Sequence, residues 1–255
     1  MVESVGPGVD SGWLGRRMVA LTVRSYAELA TAREQELLVL PERVSFEEGA
    51  GLLVQGLTAW HIIHTMGRLS AGQSVLIHAA AGGVGLLAIQ LAKAVGARVL
   101  GTVSSESKAR LAREFGADEV LLYGEGDAAE QVRALTGGRG VDLVLDSVGA
   151  STWKSSFDSL APFGHLVSYG NASGPPPPVD VESLYEKSLK VSAYWLHTKH
   201  APELQRQARE ALRTELSEGR LRVQLGLVLE LAQAAEAHRQ LEGRNTVGKV
   251  VLRVP

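Results

Sequence analysis

The reading of the fold turns on Val75–Val95, VLIHAAAGGVGLLAIQLAKAV. This stretch opens as a short apolar run, Val75-Leu76-Ile77, and breaks into the small residues Ala79 to Gly85. It resumes with Leu86, Leu87, Ile89 and Leu91 at the spacing of a buried helix. Strand, glycine turn and helix together make the unit that binds a pyrophosphate. Free N–H groups at the helix start point at the anion, and the helix dipole favours negative charge there. Glycines let the backbone approach the phosphates and let the helix pack on the strand. The fingerprint Gly-x-Gly-x-x-Gly is not intact, because its first position is Ala80; what stands is Ala79-x-x-Gly82-x-x-Gly85. Alone, the motif is equally a tight turn without a ligand, so its meaning depends on the chain around it.

Downstream, apolar β-rich runs alternate with amphipathic ones. Strands are expected at 75–79, 98–103, 119–122, 141–146, 164–169 and 189–194, and helices at 83–95, 105–115, 127–135, 152–160 and 181–187. Such alternation predicts a parallel sheet covered on both faces. The expected fold class is therefore α/β, a doubly wound six-stranded parallel (Rossmann) sheet over residues 51–196. Before it, residues 1–50 read as strand pieces: Val2–Val5, Met18–Val23 and Leu37–Leu40. Ser45 with Glu48 fits a capping box. The segment that follows reads as a helix pair or one broken helix ending before Gly67, interrupted at Gln55-Gly56-Leu57-Thr58. Beyond the stiff Gly174-Pro175-Pro176-Pro177-Pro178 loop, residues 197–255 suggest helices at about 201–218 and 230–241 and a closing strand at 247–252.

Composition narrows the function classes. The 255 residues are 45% hydrophobic and 21% charged with a net charge of −2, which gives no electrostatic case for nucleic acid or an anionic membrane. With no cysteine there are no disulfides and no thiolate-ligated zinc. No run is long enough to span a bilayer, and the first residues lack the pattern of a signal peptide, so the cytoplasm is the default expectation.

In a doubly wound sheet, ligands lie beyond the carboxyl ends of the strands. The second strand ends in Ser104, where an NAD site would place a carboxylate for the ribose diol. Lys108, one helical turn on, suits a 2′-phosphate, which favours NADPH; it equally suits a solvated helix face. Glu106 complicates this reading unless it serves the helix N-terminus. Tyr123 after the third strand suits either adenine stacking or packing. The fourth strand ends in Asp146-Ser147-Val148-Gly149, the fifth in Ser168-Tyr169-Gly170-Asn171-Ala172-Ser173-Gly174, and the sixth in Tyr194-Trp195-Leu196. Small and polar residues at six successive strand ends point to a cofactor groove.

These segments, with Gln55-Gly56-Leu57-Thr58-Ala59, His78–Gly85 and Glu242-Gly243-Arg244-Asn245-Thr246, resemble the zinc-free, zeta-crystallin-like NADPH-dependent quinone oxidoreductases of the medium-chain dehydrogenase/reductase superfamily. The resemblance runs from about residue 2 to Pro255. It implies NADPH as cofactor, a quinone or activated alkene as substrate, a homodimer and no metal. It places Gly82, Gly83 and Val84 at the pyrophosphate, Ser104 and Lys108 at the 2′-phosphate, and Tyr123 on the adenine side. Ser147 would lie near the ribose, Tyr169, Gly170 and Asn171 along the groove, and Leu196 by the nicotinamide. Arg244 would reach the cofactor from the C-terminal segment, and Thr58 and His61 would lie near the nicotinamide end. Family members begin with a complete GroES-like β domain, of which this chain is expected to carry only the later part, entering at the strand before Gly6-Pro7-Gly8. The absent part normally supplies substrate-facing Asn and Tyr side chains, so no catalytic residue is assigned. Three functions stay open: a quinone reductase, an enoyl-thioester or other activated-alkene reductase, and an NADPH-binding protein without turnover.

Overall fold

The computed structural model describes residues 1–196 and 201–254. His197–His200, at the expected start of the C-terminal segment, and Pro255 lie outside the described residues. In chain order the first elements are strands β1 (Met18–Ala20) and β2 (Leu37–Val39), helix α1 (Phe46–Trp60) and strand β3 (Ser74–Ile77). Then come α2 (Gly83–Ala94), β4 (Arg98–Val103), α3 (Glu106–Glu114), β5 (Glu119–Leu122), α4 (Ala128–Leu135), β6 (Val141–Asp146), α5 (Trp153–Asp158), β7 (Leu160–Ser168) and β8 (Lys190–Ala193). The last are α6 (Pro202–Ser217), β9 (Leu225–Glu230), α7 (Ala234–Glu242) and β10 (Lys249–Arg253). The chain divides into two compact units, Thr58–Lys199 and Met1–Leu57 with His200–Pro255.

The first unit is built on one six-stranded sheet in the order β5-β4-β3-β6-β7-β8, every neighbouring pair parallel. Its central strands carry no alternation because both faces are covered: β3 is buried at all four positions, and β6 at five of six. Leu76, Leu100, Val144 and Leu166, one from each of four adjacent strands, pack with Val132 of α4 and Trp153 of α5. Burying each such side chain is worth about 1.5–3 kcal/mol. The helices start where the sequence supplies caps. Ser105 accepts from the Lys108 N–H at α3, and Asp127 from the Ala129 N–H at α4.

The second unit holds an antiparallel pair, β1 with β2, and a parallel pair, β9 with β10, connected through α7. The capping box at α1 is present: the Glu48 N–H donates to Ser45 Oγ at 3.1 Å, and the Ser45 N–H to Glu48 Oε2 at 2.7 Å.

Four expectations are corrected. Val2–Val5 is not a strand; Val2 alone exchanges backbone hydrogen bonds with Gly15 and Arg16. Helix α1 is unbroken through Gln55–Thr58. Gly56 marks a close contact there, since a Cβ would lie 3.1 Å from both Leu52 and Leu212 side chains. The irregularity comes later, where Trp60 leads into a π-helical stretch, His61–Met66. The helix expected at 181–187 is a single 3-10 turn, Glu182–Leu184, and Ser188 then takes φ +52°. Finally, β9 was not anticipated, because its partner β10 lies far along the chain.

Candidate functional site

The crossovers on either side of β3 run in opposite senses, to β4 and to β6, which opens a crevice beyond the carboxyl ends of these strands. The glycine turn lies there. After Ile77, the His78 N–H donates to the Leu145 carbonyl and the Ala80 N–H to the Thr102 carbonyl, both at 3.0 Å. Ala79 between them has φ +51°, a left-handed conformation for a non-glycine residue, and its N–H donates to Tyr123 Oη at 3.0 Å. The Gly82 N–H closes on the Ala79 carbonyl, and Leu86 makes the first bond of α2, to the Gly82 carbonyl. The N–H groups of Gly83, Val84 and Gly85 lie in the first turn of α2, the part of a helix whose N–H groups can face an anion. A Cβ on Gly85 would lie 2.6 Å and 2.7 Å from the Ala80 and Ala79 carbonyl oxygens, so only glycine lets the turn fold this tightly.

At the end of β4, exposed Ser104 and half-buried Lys108 come together, Nζ donating to Oγ at 3.1 Å. Glu106 turns away and pairs with Arg113 at 3.1 Å. Beyond β6 and β7, two loops join: the Ala172 N–H donates to the Ser147 carbonyl and the Ser173 N–H to the Val148 carbonyl. Gly170 lies against Ser147, where a Cβ would meet its carbonyl at 2.9 Å. The Tyr169 phenol is pushed up by burial, while its hydrogen bond to Ser147 works the other way. Asn171 is exposed on the same loop and approaches Gly149. The structure therefore brings Ser147, Tyr169, Gly170 and Asn171 into one cluster.

Thr58 and His61 are buried one helical turn apart. The His61 ring stacks on Tyr194 at 5.3 Å between centroids, and its Nδ1 lies 2.9 Å from Thr65 Oγ1. Leu196, two residues past Tyr194, is half-buried. Arg244 is placed in the other unit, on an exposed turn after α7 with φ +57°. Among the described residues no group of three or more His, Asp or Glu side chains is placed to hold a metal ion.

One constellation escaped the sequence reading. Asp146 is wholly buried and accepts from the N–H groups of Val148 (2.7 Å) and Gly149 (3.0 Å) and from the hydroxyls of Thr152 (2.8 Å) and Ser156 (2.7 Å). Ser156 Oγ lies 3.0 Å from His78 Nε2, His78 Nδ1 lies 2.9 Å from Thr102 Oγ1, and Thr102 Oγ1 lies 2.7 Å from Tyr123 Oη. Burial holds the His78 imidazole below its ordinary value, against the opposing pull of Asp146. Burial also raises the Tyr123 phenol. The available signal was polar residues at the ends of apolar strands: His78, Thr102 and Asp146 on three adjacent ones.

The chain matches known proteins closely. The family described as zinc-binding dehydrogenase matches residues 83–213. A quinone oxidoreductase of Pseudomonas aeruginosa is 41% identical over 98% of this chain and 78% of its own length. A 2-haloacrylate reductase of a Burkholderia species is 36% identical over 99% of this chain and 79% of its own. A mycobacterial protein solved in complex with NADPH superposes with a TM-score of 0.92 at 40% identity, over 99% of this chain and 80% of that one.

Proposed function

The chain belongs to the quinone oxidoreductases of the medium-chain dehydrogenase/reductase superfamily, and from that membership we propose that it transfers hydride from NADPH to a quinone. The observation that carries the cofactor reading is the pairing of the glycine turn with Ser104 and Lys108 one strand away. The turn offers N–H groups to a pyrophosphate, and Gly85, where a Cβ would strike the Ala79 and Ala80 carbonyls, lets it close this tightly. At the β4 tip Ser104 stands where a carboxylate would take a ribose diol, and nearby Glu106 pairs with Arg113. A hydroxyl and an ammonium occupy the place instead, a set that suits a phosphate monoester.

When bound, NADPH supplies the hydride. The chain binds and orients. Gly82, Gly83 and Val84 hold the pyrophosphate, Ser104 and Lys108 the 2′-phosphate, and Tyr123 lies on the adenine side. Ser147, Tyr169, Gly170 and Asn171 line the groove. Thr58, His61 and Leu196 stand toward the nicotinamide, and Arg244 is read as a cofactor-binding residue. Hydride transfer requires near-contact geometry, and a rigid groove supplies most of what the protein adds. Lacking cysteine, the chain is read as zinc-independent. The same family reading carries a cytoplasmic homodimer, which size-exclusion chromatography with light scattering tests.

A second reading, reduction of an activated alkene, is favoured by the similarity to the 2-haloacrylate reductase. The two separate in steady-state NADPH oxidation with benzoquinones, 2-haloacrylates and enoyl thioesters side by side. Quinone turnover with NADPH preferred over NADH supports the first reading. Turnover of the alkenes alone replaces it with the second, and NADPH binding with no turnover on any substrate refutes both.

A further inference from the structure

The buried polar chain runs between two fixed ends. At one end a carboxylate only accepts. Its acceptor positions are filled by two N–H groups and two hydroxyls, from Val148, Gly149, Thr152 and Ser156. Ser156 Oγ, which donates to Asp146, lies 3.0 Å from His78 Nε2. His78 is 1% exposed, and its Nδ1 lies 2.9 Å from Thr102 Oγ1, so the series meets both ring nitrogens. Thr102 Oγ1 donates to Tyr123 Oη at 2.7 Å, and Tyr123 Oη also receives the Ala79 N–H.

The ends of the series are backbone groups of two different loops. Ala79 belongs to the glycine turn after β3, and Val148-Gly149 to the loop after β6. These loops flank the crevice at which the sheet order reverses. Ala79 needs a tether, because its φ of +51° is disfavoured for a residue with a Cβ.

We propose that His78 is a positioning residue for the cofactor site: it links the glycine turn at Ala79 to the Val148-Gly149 loop through one buried hydrogen-bond series and holds the two in register. The inference rests on the NADPH reading of those loops. It assigns no contact between His78 and cofactor or substrate.

The test has one arm that needs no ligand and one that does. In the first, backbone amide exchange is measured by NMR in the wild type, Thr102→Val and Ser156→Ala. Each substitution should speed exchange at the far end of the series: Thr102→Val at Val148 and Gly149, Ser156→Ala at Ala79. In the second arm NADPH is titrated by fluorescence. Thr102→Val, nearly isosteric, should raise the Kd by about 5- to 10-fold, the equivalent of one buried hydrogen bond, while Thr102→Ser restores wild-type binding. Exchange changes confined to the near end, or an unchanged Kd in Thr102→Val, overturns the proposal. A wild-type chain that does not bind NADPH refutes the cofactor reading instead, and the exchange measurements still decide the hydrogen-bond series.

Discussion

Replacing Lys108 should separate the two nicotinamide cofactors. Lys108 is half-buried at the start of α3, and its Nζ donates to exposed Ser104 Oγ at 3.1 Å, which places the ammonium before any ligand arrives. A unit charge about 4 Å away is worth roughly 1 kcal/mol in bulk water and roughly 4 kcal/mol at an effective dielectric constant near 20. A partly exposed site lies between these, and a phosphate carries more than one charge, but screening and side-chain ordering take back part of the gain. The net loss on Lys108→Ala is set at about 1–3 kcal/mol, or roughly 5- to 150-fold in the NADPH Kd. NADH lacks the 2′-phosphate and should change by less than about 2-fold on the same arithmetic. Lys108→Met, which keeps the apolar stem, should behave like the alanine variant if charge is the cause. Fluorescence titration of both cofactors at low and high salt gives the numbers, and the NADPH penalty should shrink toward about 1 M salt, where the Debye length is only about 3 Å. Equal loss for NADPH and NADH, or a salt-independent loss, would refute the reasoning and make Lys108 a packing residue.

Gly85→Ala puts a Cβ 2.6 Å from a carbonyl oxygen, so the turn must open; NADPH binding should weaken by at least about 10-fold and stability drop by about 1–3 kcal/mol, read by titration and thermal melting. His78 is held below its ordinary value of 6.5 by burial, so below about pH 6.5 the unfolded chain takes up a proton that the folded chain refuses. Stability should therefore fall as pH drops through that point, by up to about 1.4 kcal/mol per pH unit, and His78→Gln should flatten the slope between about pH 5 and 6.5 in urea melts. Chelation with EDTA should leave quinone-dependent NADPH oxidation unchanged; loss of activity restored by zinc would reject zinc independence.

How much was legible in the sequence depended on how local the cause was. The six strands of the sheet announced themselves through runs such as Val75-Leu76-Ile77 and Val141–Asp146, because burial on both faces imposes an apolar run whatever the partner strand is. The Ser45–Glu48 box is likewise decided within four residues. β9 was missed because Leu225-Gly226-Leu227-Val228-Leu229 becomes a strand only by pairing with Val250–Leu252. The helix expected at 181–187 is only the 3-10 turn Glu182–Leu184, a difference that the spacing of apolar residues does not mark. At the site, Ser104 and Lys108 could be paired from helical spacing alone. The link between His78, Thr102, Ser156 and Asp146 could not, because it joins two strands, a helix and a strand end that only the sheet order brings together.

That sheet order also has a kinetic side. β3 pairs with β4 through neighbours such as Val75 and Val99, but with β6 through Val75 and Leu143, far along the chain. The first half of the sheet can close over short loops, whereas the central β3–β6 seam must wait for a long one. Until β6 docks, His78 and Thr102 have no carboxylate at the end of their hydrogen-bond series, and the glycine turn lacks its counterpart loop. On that argument the cofactor crevice is completed only once the β3–β6 seam has closed. A chain arrested before Val141 would expose an unpaired β3 edge at the place where the finished protein buries it most deeply.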